Sequence, residues 1–107
     1  MSIRFESEPD KLVIIWEGDI DHHSASEYRE RIDTMIETRR PKTVVLDFAS
    51  VGLSDSSGIA LVLGRYKLLG ELGGTLEVAN ASPFVRRVLA LAGVDKMVKF
   101  TETAVKY

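Results

Sequence analysis

The sequence predicts an α/β fold, a small, mixed and mostly parallel β-sheet with packed helices in the order β-β-α-β-α-β-α-β. Three observations predict it. Thr43 to Phe48 is a β-branched, near-continuous apolar run, the pattern of a central strand buried on both faces. Apolar residues recur at helical spacing in three further segments, each lying between two short strand patterns, the rhythm of parallel strands joined by right-handed crossovers. The chain opens, in contrast, on two strand patterns with only a turn between them, so the sheet is mixed.

Ile3 and Phe5 alternate with Arg4 and Glu6 in the first strand, Ser7-Glu8-Pro9-Asp10 supplies the turn, and Leu12 to Trp16 forms the second strand. Ala25, Tyr28, Ile32, Met35 and Ile36 then share one helical face. Ser24 and Glu27 have capping-box spacing at its start, and the helix should end near Arg39-Arg40-Pro41. After the central strand, a polar turn from Ser54 to Gly58 leads into Ile59, Val62, Leu63 and Tyr66 at helical spacing. Leu61, Leu68 and Leu69 widen this apolar face, so the second helix should be largely buried. Gly64 within it costs about 1 kcal/mol relative to Ala, which predicts a close backbone approach. Gly70, Gly73 and Gly74 end the element, and Leu76 and Val78 alternate with Glu77 in the next strand. Ser82-Pro83 reads as an N-cap with proline at the first helical position. Phe84, Val85, Val88, Leu89 and Ala92 form the third helix's expected core face, with Gly93 as its cap. Met97 to Phe100 is the last short strand, followed by a weak tail to Tyr107.

With 107 residues, 45% apolar and 28% charged, the chain is expected to be a single domain over residues 1–107. That length buries roughly 60–70% of the unfolded chain's surface without a disulfide or structural metal. The absence of cysteine excludes disulfide frameworks, thiolate zinc sites and thiol nucleophiles, and makes a reducing cytoplasm the expected compartment. Apolar runs such as Leu12 to Trp16 and Ile59 to Leu63 are short, and the opening MSIRFESEPD is acidic where a signal peptide is basic, so no membrane partner is expected. A net charge of -2, from 14 Lys and Arg against 16 Asp and Glu, offers no attraction to phosphate backbones and argues against nucleic acid.

In open α/β sheets, ligands and partners meet the carboxyl ends of the strands, and here Gly18 to His23, Ala49 to Gly58 and Asn80 to Pro83 lie there. The middle loop concentrates hydroxyls, with Ser54, Ser56 and Ser57 around Asp55 at the start of a buried helix. One cap needs one side chain, Asp55 or Ser56, so a hydroxyl is left facing solvent. A phosphate on it would sit at a helix N-terminus, whose dipole and free N–H groups favour an anion by roughly 0.3–1 kcal/mol.

Asp55-Ser56-Ser57-Gly58-Ile59 followed by Leu63-Gly64-Arg65-Tyr66-Lys67 resembles the central motif of the STAS-domain anti-sigma-factor antagonists, those of sporulation most closely. Gly18-Asp19-Ile20-Asp21-His22-His23 is similar to their G-x-[LI]-D loop, Val44 to Leu46 to their central strand, Gly73-Gly74 to a turn, and Ser82-Pro83 to the start of their third helix. The resemblance covers essentially the whole chain. It implies the STAS fold and a cytoplasmic, non-enzymatic regulator of transcription with no catalytic residue, no metal and no cofactor of its own. Its partner would be a GHKL-type protein, both anti-sigma factor and serine kinase, that supplies the ATP and Mg²⁺. The resemblance implies Ser57 as the phosphorylated residue and Asp21, Asp55, Ser56, Ser57 and Gly58 as the partner-binding set. Unphosphorylated chain would capture the anti-sigma factor and free the sigma factor, phosphorylation would switch binding off, and a PP2C-type phosphatase would restore it. Two departures stand out: Ser54 occupies a usually apolar position, and the tail beyond Phe100 is shorter than the family's final helix.

Other readings compete at several residues. Asp21 also suits a place before the first helix, favouring its dipole. His22-His23 beside it makes a poor metal site, since adjacent residues in an extended loop point apart and no further histidine exists. A serine hydrolase would need Gly-x-Ser-x-Gly, which the loop lacks. Arg65, Lys67, Arg86 and Arg87 read as solvated helix surface. The main alternative is a response-regulator receiver with Asp47 as phosphate acceptor and Asp19 or Asp21 holding Mg²⁺, which leaves the Asp-Ser-Ser-Gly loop without a role. A STAS module of a larger sensor or transporter differs from the free antagonist only in its partner.

Overall fold

A computed structural model describes residues 2–102, so the tail expected up to Tyr107 lies outside the described residues beyond Glu102. β1 (Ser2–Glu8) and β2 (Lys11–Ile20) pair antiparallel across a two-residue turn in which Asp10 takes a φ of 66°. β2 then pairs parallel with β3 (Thr43–Leu53), β3 with β4 (Thr75–Ala79), and β4 with β5 (Lys99–Thr101). The strands lie in sequential order across the sheet. Every crossover therefore steps the same way, and right-handed connections lay α1 (His22–Arg39), α2 (Ser57–Glu71) and α3 (Pro83–Leu91) on one face.

A single row of register partners marks that face: Phe5, Ile14, Leu46, Val78 and Phe100 run across all five strands. Arg31 of α1 lies over the Phe5 ring at 5.8 Å, and Arg86 of α3 lies over the Phe100 ring at 5.1 Å. Between them the core closes, with Leu12, Trp16, Val44 and Phe48 of the sheet buried together with Ile32, Ile36, Leu61, Val62, Leu69, Val85 and Leu89 of the helices. Trp16 meets Tyr28 of α1 edge to face, with ring centroids 5.3 Å apart, the arrangement aromatic quadrupoles prefer. Val44 to Phe48 is buried without interruption, so the expected central strand and the mixed, mostly parallel order are both observed.

Several local expectations are corrected. β2 runs on to Ile20 and β3 to Leu53, past a bulge at which the register shifts between Ile15 and Glu17. The bulge bends both strands together and carries their ends beyond β4. Phe84 is 65% exposed and Ala92 is exposed, because α3 is a short helix at the margin of the sheet, over the three-residue β5, and only Val85 and Leu89 are fully buried there. Tyr66 is likewise exposed, at 41%. A Cβ at Gly64 would meet nothing within 4 Å, so no backbone approaches it. Met97 precedes β5 rather than belonging to it, following a 3₁₀ turn at Val94–Lys96. Among the described residues, no helix is long and apolar enough to cross a membrane.

Candidate functional site

Ile20 pairs with Leu53, six positions along β3 beyond the Asp47–Ala79 pair that ends the β3–β4 ladder. The paired ends of β2 and β3 thus deliver the N-termini of α1 and α2 to one place. Asp21 is the N-cap of α1: its carboxylate accepts the Ser24 backbone N–H at 2.8 Å, and Ser24 Oγ accepts the Asp21 N–H at 3.1 Å. The capping box therefore sits one turn earlier than the Ser24–Glu27 box expected from spacing. Ser24 serves as the third helical residue and is buried, also donating to the Asp19 carbonyl at 3.2 Å.

Asp55 is the side chain that organises the second helix start. Its Oδ1 accepts the Ser57 N–H at 2.7 Å and its Oδ2 accepts the His22 N–H at 3.2 Å, so one carboxylate joins the first residues of α1 and α2. Ser56 holds the N-cap position of α2 but makes no capping bond. Of the two expected caps Asp55 is therefore the one used, while Ser54 and Ser56 are exposed. Ser57, half-buried, is the first residue of α2, and Gly58 behind it is buried where a Cβ would overlap the Leu53 side chain. The structure thus brings Asp21, Asp55, Ser57 and Gly58 together, with Ser56 at their edge.

Hydrogen bonding lowers both acids. The Ser24 backbone N–H holds the Asp21 carboxyl below its ordinary value, and the Ser57 backbone N–H and hydroxyl do the same for Asp55. Each is therefore an anion at neutral pH, and the Asp55 charge raises Asp21 slightly through space. His22 contributes its backbone N–H, and His23 is a surface residue 4.0 Å from Glu27.

Asp47 cannot serve as the phosphate acceptor of a receiver. It is only 1% exposed, its Oδ1 accepts the Ala49 N–H at 3.0 Å, and both its oxygens lie 3.4 to 3.5 Å from Asn80 Nδ2. It also sits one register position from the Leu46 row, on the sheet face opposite the helices. Burial and backbone bonding together correct the receiver alternative.

Arg65, a surface residue by its sequence pattern, is only 6% exposed. Its Nε lies 2.8 Å from Asp33 Oδ1 of α1, an ion pair off hydrogen-bonding alignment, and its Nη1 has no partner among the described residues. Burial pushes the Asp33 carboxyl up against the pull of Arg65, and the same desolvation lowers Arg65. The sequence does carry a signal for this: Leu61, Arg65 and Leu69 are spaced four apart, which puts Arg65 in an apolar row. A cleft of about 320 Å³ runs between α1 and α2, with Ser57, His22, Ser26, Arg29 and Arg65 among its walls.

Comparison with known proteins adds an independent line. The STAS domain family matches residues 2–106. The anti-sigma F factor antagonist of Paenibacillus polymyxa is 31% identical over 105 residues, which is 98% of this chain and 90% of that protein. The solved structure of the anti-sigma factor antagonist SpoIIAA in its unphosphorylated form superposes with a TM-score of 0.83 at 30% identity, covering 96% of this chain and 89% of that one. The Bacillus cell fate determinant SpoIIAA in its phosphorylated form superposes at 0.77 with 29% identity, covering 96% and 92%.

Proposed function

The chain belongs to the STAS-domain family, and from that premise we propose that it is an anti-sigma-factor antagonist whose binding is switched off by phosphorylation at Ser57. It acts by binding and catalyses nothing itself. The observation that carries this reading is the setting of Ser57: first residue of α2, half-exposed, its backbone N–H held by the Asp55 carboxylate beside the start of α1. A kinase needs a serine it can reach in a backbone it can read, and a helix start at the sheet's carboxyl end supplies both.

The partner is an anti-sigma factor of the GHKL kinase type, docking over Asp21, Asp55, Ser56, Ser57 and Gly58. ATP and Mg²⁺ belong to that partner, and a PP2C-type phosphatase reverses the modification in the cytoplasm. Phosphoserine adds about -1.5 to -2 charges to a face that already carries two ionised aspartates. The helix N-terminus tolerates that anion. A docked surface does not: two like unit charges about 4 Å apart at an effective dielectric near 20 repel by roughly 4 kcal/mol, close to a thousandfold in affinity.

The test is to label wild type, Ser57→Ala and Asp47→Asn with the kinase and MgATP, then treat each with hydroxylamine. A serine ester resists hydroxylamine and an aspartyl phosphate does not. Stable label lost only in Ser57→Ala is expected; sensitive label lost only in Asp47→Asn would overturn the reading.

A further inference from the structure

We propose that the cleft between α1 and α2 is a docking subsite for an acidic side chain of the protein partner that covers Ser57, with the guanidinium groups of Arg29 and Arg65 as its receptors. The proposal rests on the Ser57 reading and adds to it a second, attractive contact.

The cleft's walls carry two arginines and no carboxylate, in a chain whose net charge is -2. Arg29 is exposed on α1, whereas Arg65 on α2 is buried with Nη1 unpartnered among the described residues. Asp33 engages only the Nε edge of Arg65. A guanidinium has five donors in a planar fork, and a buried one left short of acceptors is unfavourable until a second anion arrives. Gly64 keeps the cleft open, since no side chain fills the space where its Cβ would stand.

Ser57 and Arg65 are eight residues apart on one helix, roughly 12 Å between their backbones along its axis, so an anion held by Arg65 lies about two turns below the Ser57 backbone. Ser57 nevertheless lines the same cleft, so a partner covering the serine also covers this opening. A carboxylate on such a partner matches the fork geometry of arginine. The antagonist surface then has two ends of opposite sign, with anions at the helix starts and cations about two turns below.

Nuclear magnetic resonance tests this on the full ¹⁵N-labelled chain, following the arginine Nε–H signals while N-acetylglutamate N-methylamide is added. The glutamine analogue serves as the neutral control and inorganic phosphate as the competing anion. Saturable shifts of Arg29 and Arg65 with the glutamate probe alone are expected, at least fivefold weakened in Arg29→Gln, a surface variant that leaves the core intact. No shift, equal shifts with the glutamine probe, or shifts with phosphate only would overturn the subsite. Binding to the purified kinase separates the two ideas: an effect of Ser57→Asp with none of Arg29→Gln or Arg65→Gln removes the subsite alone, whereas no effect of Ser57→Asp removes the switch.

Discussion

Asp55 Oδ2 accepts the backbone N–H of His22 across 33 positions of sequence, while Oδ1 of the same carboxylate accepts the N–H of Ser57 two residues on. A single side chain therefore ties the starts of α1 and α2, and with them the two halves of the candidate surface.

Replacing Asp55 should loosen both helix starts at once. Asp55→Ala is expected to lower the melting midpoint by a few degrees, with Asp55→Asn intermediate because its side-chain oxygen still accepts one bond. Amide hydrogen exchange should speed up at both Ser57 and His22. A change confined to Ser57 would show that the link to α1 carries no weight.

Ser56 and Ser82 should behave in opposite ways. Ser82 Oγ accepts the Val85 N–H at 3.2 Å as the cap of α3, so Ser82→Ala should cost about 0.5–2 kcal/mol. Ser56 makes no capping bond, so Ser56→Ala should stay within about 0.5 kcal/mol of wild type and remain open to phosphorylation at Ser57. Urea melts of both variants and labelling of the second check this.

Acid stability should follow three aspartates of two kinds. Asp21 and Asp55 are held below 3.8, so their contribution is present above that value and is lost as the pH falls through their folded pKa values. Asp33 is raised by burial, so the fold binds its proton more readily than the unfolded chain does, and stability declines as the pH rises from 3.8 through its folded value. Urea melts from about pH 2.5 to about pH 6 should show a shallower acid limb in Asp21→Asn and Asp55→Asn, and a lost decline above 3.8 in Asp33→Asn.

Two glycines should respond with opposite signs. Gly64→Ala places a methyl group in open space on a helix and should stabilise by up to about 1 kcal/mol. Gly74→Ala sets a Cβ 3.1 Å from the Pro41 carbonyl oxygen and 3.3 Å from that of Lys42, backbone atoms that cannot turn aside, and should cost about 1–3 kcal/mol. Thermal melts distinguish them, and a stable Gly74→Ala would place the chain reversal at Gly73–Gly74 elsewhere.

Features that rest on neighbours along the chain were legible without the fold. The period-2 and helical patterns placed each strand and α-helix, Ser82-Pro83 marked a real cap, α1 ends at Arg39 as expected, and the apolar run from Val44 to Phe48 is the buried centre of the sheet. The motif from Asp55 to Gly58 was legible as a helix start with spare hydroxyls. The remainder depends on which elements the crossovers lay side by side. Asp55 displaced Ser56 as the cap once β2 and β3, paired through Ile20 and Leu53, brought the His22 N–H within its reach. Arg65 left the surface because α1 packs beside α2 and offers Asp33 to its Nε. Phe84 stayed exposed because α3 covers only the margin of the sheet. Periodicity says that a face exists; the neighbour that buries it, or leaves it bare, is set by the sequential strand order and the single hand of its crossovers.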